Sequence, residues 1–185
     1  PDVQLRAGAP VIMLHGDDSG LIIPPKVAPF QSVIIPISRG NWKETVLPKA
    51  KSLMTELKQK GFRIHLDDSD TYTPGWKFSE WEMRGVPVRI EIGPKDIEKN
   101  QVVLVNRINR EKQFVQIDKL AEALQALLDK IQRMLFERAS EFRTNNTSEA
   151  NDFDTLSEII ETKRGLVKAG WCGSENCEER VKDRN

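Results

Sequence analysis

The run from Val86 to Ile92 constrains the fold of this chain more than any other stretch. Val86, Val88, Ile90 and Ile92 alternate with Arg89 and Glu91, the period of two expected of a strand with one face on a core. Arg89 then belongs to the other face. Gly93-Pro94 ends the strand and presents Lys95 and Asp96 at the tip of a turn. Upstream, Thr73 fits a helix N-cap, Pro74 the first helical position and Gly85 a left-handed stop. On the helix between them, Phe78 and Glu82 are four residues apart and share one face. An aromatic plane beside a carboxylate suits an unpaired base.

Elements on either side extend this unit into a sheet. Gln31 to Ile37 reads as a buried strand, with Pro36 near its end. Val46 to Lys60 carries Val46, Ala50, Leu53, Met54 and Leu57 at helical spacing, with Pro48 in its first turn and Gly61 as its stop. Phe62 to Leu66 is the next strand. Strand, helix and strand in so short a span make a crossover unit, so the sheet has parallel pairs. Gln101 to Val105 and Gln113 to Ile117 add two strands around a basic loop. The expected fold is α/β, a mixed sheet of about five strands flanked by helices.

From Lys119, the spacing of Leu120, Leu124, Leu127, Leu128, Ile131 and Leu135 predicts an amphipathic helix to about Phe142. Arg143 to Glu149 reads as a polar break, Phe153 to Lys163 as a shorter helix and Gly165 to Ala169 as a short strand. Three regions follow: 1–29 as the edge of another domain and a linker, 30–142 as the main domain, and 143–185 as a small α+β appendage. Ahead of the main domain, Val11 to Leu14 reads as a strand leading into a turn at His15-Gly16-Asp17-Asp18.

Charge does not advertise nucleic acid. The chain has 28 basic and 28 acidic side chains, so any RNA contact rests on a local site rather than a global field. No apolar run approaches the roughly 18 residues a membrane span needs, and there is no signal peptide. The reading is a soluble cytoplasmic protein with no membrane or DNA partner. Two cysteines, Cys172 and Cys177, are too few for a disulfide framework. A lone pair at this spacing is a weak metal signal, since a structural zinc wants four thiolate or imidazole ligands.

Three segments together, HGDDSGLIIPPKVAPFQSVIIPI, TPGWKFSEWEMRGVPVRIEIGPKD and WCGSENCEE, resemble the carboxyl-terminal part of the prolyl-tRNA synthetases of the eukaryote-like and archaeal-like type. The resemblance covers nearly the whole chain from about Arg6. It implies the class II synthetase anticodon-binding fold, shared with the synthetases for threonine, histidine and glycine, and it makes tRNA-Pro the partner. The parent enzyme is then a homodimer through a catalytic domain whose motifs 1 and 2 lie outside this chain, and it uses ATP and Mg. The fragment alone is expected to be monomeric and unable to activate proline.

A proline anticodon carries guanine at its second and third positions, and the guanine edge pairs N1–H and N2–H donors with the O6 acceptor. The resemblance assigns anticodon contacts to Phe78, Glu82, Arg89, Lys95 and Asp96, with Arg110 or Lys112 adding one from the loop between the last strands. Glu82 and Asp96 would accept from N1–H and N2–H, Arg89 and Lys95 would donate to O6, N7 or phosphate, and Phe78 would stack. Read from the residues alone, Glu82 and Arg89 also fit a surface ion pair, and Phe78 a core aromatic. Trp76 and Trp81 read as packing residues. Arg6 falls where the family's motif 3 arginine meets ATP phosphates. In the family, a cysteine pair like Cys172 and Cys177 is completed by a second pair that is not found here, so either the set is unfinished or the knuckle has lost its metal; zinc binding by this fragment is not expected. A free-standing RNA-binding module or a protein-interaction domain on the same fold, and another class II synthetase, for threonine, histidine or glycine, are the other readings open to the sequence.

Overall fold

The computed structural model describes residues 13–163 and 165–183. They form two compact units, one running through Leu135 and the other beginning at Phe136.

The first unit is built on a five-stranded sheet. Its strands are β1 (Ser32–Pro36), β2 (Ile64–Leu66), β3 (Val88–Ile92), β4 (Gln101–Asn106) and β5 (Lys112–Gln116), in the spatial order β2-β1-β3-β4-β5. β1 pairs in parallel with β2 and β3, whereas β3, β4 and β5 are antiparallel neighbours. The mixed α/β sheet expected from the sequence is therefore present. Helices α1 (Trp42–Thr45) and α2 (Leu47–Gln59) connect β1 to β2, and α3 (Pro74–Met83) connects β2 to β3. The first connection moves the chain one way across the sheet and the second brings it back past β1. Right-handed crossovers in opposite directions place their helices on opposite faces.

The two faces carry different cores. Alternate residues Ile34, Val88, Ile90, Ile92, Val102 and Leu104 meet Ala50, Leu53 and Leu57 of α2. They also meet Leu120, Leu124, Leu128, Ile131 and Leu135 of the long helix α5 (Leu120–Asn145). Each fully buried Leu or Ile contributes about 1.5–3 kcal/mol over its exposed state. On the opposite face, Val33 and Ile35 pack with Trp81 and Val86, and Phe78 covers their edge. This second core is small, which leaves room on that face for polar groups.

Some local expectations change. Lys95 and Asp96 do not stand at a loop tip. Residues Pro94–Glu98 form a short helix, α4, because Pro94 suits a first helical position and the Asp96 carboxylate accepts from the Gly93 N–H at 2.9 Å. Trp76 is not a core residue. It is 45% exposed and stacks on Tyr72 with ring centroids 3.8 Å apart, whereas Trp81 is buried as expected. Residues 13–15 are helical where a strand was expected. Arg6 lies outside the described residues.

The second unit contains β6 (Thr147–Ala150), α6 (Phe153–Thr162), β7 (Leu166–Ala169) and α7 (Glu175–Lys182), with β6 and β7 pairing in parallel. The stretch read as a polar break is thus the end of α5 followed by a strand. Its polar side chains hid the strand, whose ladder exists only because β7 returns beside it. Asp152 caps α6 by accepting from the Thr155 N–H at 2.8 Å.

The turn after α3 shows how tightly the first unit is assembled. Gly85 has φ +76°, and a Cβ there would stand 2.7 Å from the Leu21 Cβ and 2.8 Å from the Leu21 carbonyl carbon. Gly85→Ala is expected to lower stability by about 1–3 kcal/mol in urea denaturation. An unchanged midpoint would mean that Leu21 does not pack there.

Candidate nucleic-acid interface

Helix α3 is fixed to the sheet before it presents anything. Thr73 Oγ1 accepts from the Trp76 N–H at 3.3 Å, the expected cap. Lys77, 2% exposed, donates to the Asp67 carbonyl at 3.0 Å and pairs with the Asp67 carboxylate at 3.0 Å. Trp81 Nε1 donates to the other Asp67 oxygen at 2.7 Å. Burial pushes the Asp67 carboxyl up, but the bonds from Trp81 and Lys77 outweigh it and hold the group below its ordinary value. A charged lysine is tolerated inside because its donors are satisfied.

With α3 held, its Phe78 and Glu82 face the polar row of β3. The Arg89 guanidinium lies over the Phe78 ring, 4.2 Å from its centroid. Arg89 Nε and Nη2 both reach Glu91 Oε1, at 3.0 and 2.9 Å, and Lys112 Nζ reaches Glu91 Oε2 at 3.2 Å. Register explains the grouping. Arg89 is opposite Val105 of β4, and Val105 is opposite Lys112 of β5. Glu91, 7% exposed, thus holds two cations on one sheet face.

Glu82 is engaged separately. Its Oε1 accepts from Arg110 Nε at 2.7 Å, while Arg110 Nη2 donates to Ser19 Oγ at 2.7 Å. Arg107, buried beneath, donates to both Asp17 oxygens at 2.7 and 2.8 Å and, through Nε, to the Glu82 backbone carbonyl at 2.8 Å. Between Glu82, Arg89 and Arg110 lies a cleft of about 10 Å³, room for one water at most. A planar base does not fit inside it.

Residues 31–127 match the family described as the anticodon binding domain. The chain belongs to that family. Over 181 residues, 98% of this chain, it is 52% identical to the proline–tRNA ligase of Natranaerobius thermophilus and 49% identical to a proline–tRNA ligase 2 of Bacillus cereus. It is also 52% identical over 182 residues to the proline–tRNA ligase of Ruminiclostridium cellulolyticum. The chain spans 37% of the length of these curated relatives.

In this anticodon binding domain, the structure brings Phe78, Arg89 and Lys112 together around Glu91, and it places Glu82 beside them. Lys95 and Asp96 are set apart. Glu82 lies near Arg107 and Arg110, level with the start of β3, whereas α4 follows the end of β3. The strand separates them by about 13 Å at roughly 3.3 Å per residue. Lys95 is exposed, but the Asp96 carboxylate is already occupied, by the Gly93 N–H and by Gln101 Nε2 at 3.4 Å.

Several residues of this surface escape a reading by sequence. Glu91 is signalled only by its place two residues after Arg89. Arg107 and Asp17 are 90 residues apart and carry no local signal. Phe114, 66% exposed, sits opposite Val103, which in turn is opposite Glu91, so its ring shares the face of Arg89 and Lys112.

The second unit's thiols form a close pair, with Cys172 Sγ 3.1 Å from Cys177 Sγ. Their shared hydrogen bond lowers the Cys172 pKa and raises that of Cys177. Among the described residues, no group of three or more His, Cys, Asp or Glu could hold a metal ion. Two sulfurs do not fit a closed tetrahedral zinc site. EDTA is accordingly expected to leave the Tm of the chain unchanged; a marked fall would reveal a structural metal held by other ligands.

The Asp17–Arg107 pair gives the domain an acid sensitivity. The Arg107 hydrogen bonds bring the Asp17 carboxyl down from 3.8 to about 2. A carboxyl depressed in the folded state contributes stability above its unfolded pKa and loses it as pH falls through the folded one. Between about pH 4 and pH 2 the wild-type chain is expected to lose stability relative to Asp17→Asn, as measured by denaturant midpoints. Parallel curves would exclude the pair as the source.

Proposed function

We propose that this chain is the anticodon-binding part of a proline–tRNA ligase, reading the guanines of the tRNA-Pro anticodon. The observation that carries this reading is the clustering of Phe78, Glu82, Arg89 and Lys112 on one face of an anticodon binding domain whose relatives are proline–tRNA ligases. Selectivity does not need a basic surface, because a bidentate contact discriminates against the wrong base by about 1–3 kcal/mol.

Each side chain has a role set by its neighbours. Glu82 presents a carboxylate to N1–H and N2–H of guanine. Arg110 Nε holds Oε1 of that carboxylate at 2.7 Å and leaves its remaining lone pairs for the base edge. Arg89 is held flat by Phe78 and Glu91, so base stacking falls on the Arg89–Phe78 pair. Its free donors face O6 or N7. Lys112, and Phe114 at its side, extend the surface towards the edge strand. Lys95 and Asp96 serve a second base at the far end of β3, where Asp96 keeps lone pairs beyond its capping bond.

In the parent ligase, ATP would supply the energy for prolyl activation and Mg²⁺ would neutralise its phosphates, and subunits would pair through a catalytic domain outside this chain. The anticodon domain contributes binding energy far from the acceptor end of the tRNA, favouring the right tRNA over others. A cytoplasmic site of action follows from that role. Among the described residues, no helix is long and apolar enough to cross a membrane.

Binding of the chain to a tRNA-Pro anticodon stem-loop, at one fixed salt concentration, tests the reading. Replacing either guanine is expected to cost about 1–3 kcal/mol. Glu82→Ala should abolish the preference at one position and Asp96→Ala at the other. Equal affinity for all the loops would reject base readout and leave a scaffold that only shares the fold.

A further inference from the structure

Glu82 sits in the last turn of α3, where helix carbonyls lack intrahelical donors and the turn tends to fray. Here the Met83 carbonyl takes its donor from a segment some sixty residues earlier in the chain, while the Glu82 carbonyl accepts from the Gly85 N–H at 3.0 Å and from Arg107. Asp17 and Gly20 exchange backbone hydrogen bonds at 3.0 Å, closing a tight turn in which the Ser19 N–H also donates to Asp17 Oδ1 at 2.9 Å. Three ties run from this turn to the end of α3. The Leu21 N–H donates to the Met83 carbonyl at 3.0 Å. Asp17 holds both terminal nitrogens of Arg107, which leaves Nε aimed at the Glu82 carbonyl. Ser19 holds Arg110, which in turn holds the Glu82 carboxylate. The approach is so close that a Cβ on Gly20, whose φ is +123°, would stand 2.6 Å from the Met83 Cα.

We propose that the Asp17–Leu21 turn is a positioning element for anticodon recognition: it fixes the backbone of Glu82 through Arg107 and the carboxylate through Arg110, and so sharpens discrimination of the guanine edge. The proposal rests on the anticodon reading above. Bidentate acceptance needs both carboxylate oxygens placed within about 0.5 Å, which only a supported side chain achieves. Asp17 stays ionised at neutral pH, so the support is constant under working conditions. The arrangement also joins the turn that precedes the sheet directly to the residue that meets the base.

The test compares wild type, Asp17→Asn and Ser19→Ala in the full 185-residue chain. Each binds the tRNA-Pro anticodon stem-loop and versions in which the guanine read by Glu82 is replaced by adenine or inosine, with Tm recorded alongside. Asp17→Asn is expected to reduce the guanine preference on the order of tenfold, as a misplaced reading group does. Ser19→Ala removes one partly exposed hydrogen bond and should reduce the preference about threefold at unchanged Tm. Affinity for the adenine loop should hold in both variants. A preference unchanged in Ser19→Ala and in folded Asp17→Asn overturns the proposal and leaves the anticodon reading standing. A uniform loss of affinity for every loop also overturns it, since that is the mark of a purely structural role. If Asp17→Asn does not fold, Ser19→Ala alone decides. Wild type without a guanine preference removes both this proposal and the reading beneath it.

Discussion

Strand β3 is the constraint on which the rest of the domain depends. It is paired on both sides, in parallel with β1 and antiparallel with β4, so it cannot shift without breaking two ladders. Its two-residue period then separates two tasks without compromise. Val88, Ile90 and Ile92 face the large core under α2 and α5, while Arg89 and Glu91 face the smaller layer beneath α3. A slip of one residue would put both charges into the core, so the hydrophobic side of the strand holds the polar side in register.

The polar face works because its charges hold one another. A nearly buried carboxylate at Glu91 is costly alone, but two cations and their hydrogen bonds satisfy it. The same logic recurs at Asp67 with Lys77 and Trp81, and at Arg107 with Asp17 and the Glu82 carbonyl. These are positioned charges rather than a diffuse field. A chain of zero net charge can therefore present a local site for an anion with polar edges, because the cations at the rim, Arg110 and Lys112, remain exposed.

Much of this was legible in the sequence. The cap at Thr73, the stop at Gly85, the alternation from Val86 to Ile92 and the apolar stripe of α5 are local patterns, each set by residues within a few positions of one another. The pairing of Phe78 with Glu82 on one helical face follows from 3.6-residue geometry alone. Three features were not legible. Asp96 was read as a presented carboxylate because Gly93-Pro94 fits a turn as well as it fits an N-cap and first helical position. β6 was hidden because its polar residues make a strand only against β7. Trp76 looked like a core residue, but the small second core is filled by Trp81, which leaves Trp76 to stack on Tyr72.

The sequence by itself determined the elements, their order and which polar and aromatic groups share a face, because propensity, capping and periodicity act over a turn or a strand. Tertiary structure alone decided which of those groups act together. Arg107 reaches Asp17 across 90 residues, Lys112 joins Arg89 through the register of three strands, and Glu82 is braced by a turn that precedes the sheet. Such contacts depend on where the chain returns in space, and a buried guanidinium or carboxylate finds its partner only after the surrounding core has excluded water.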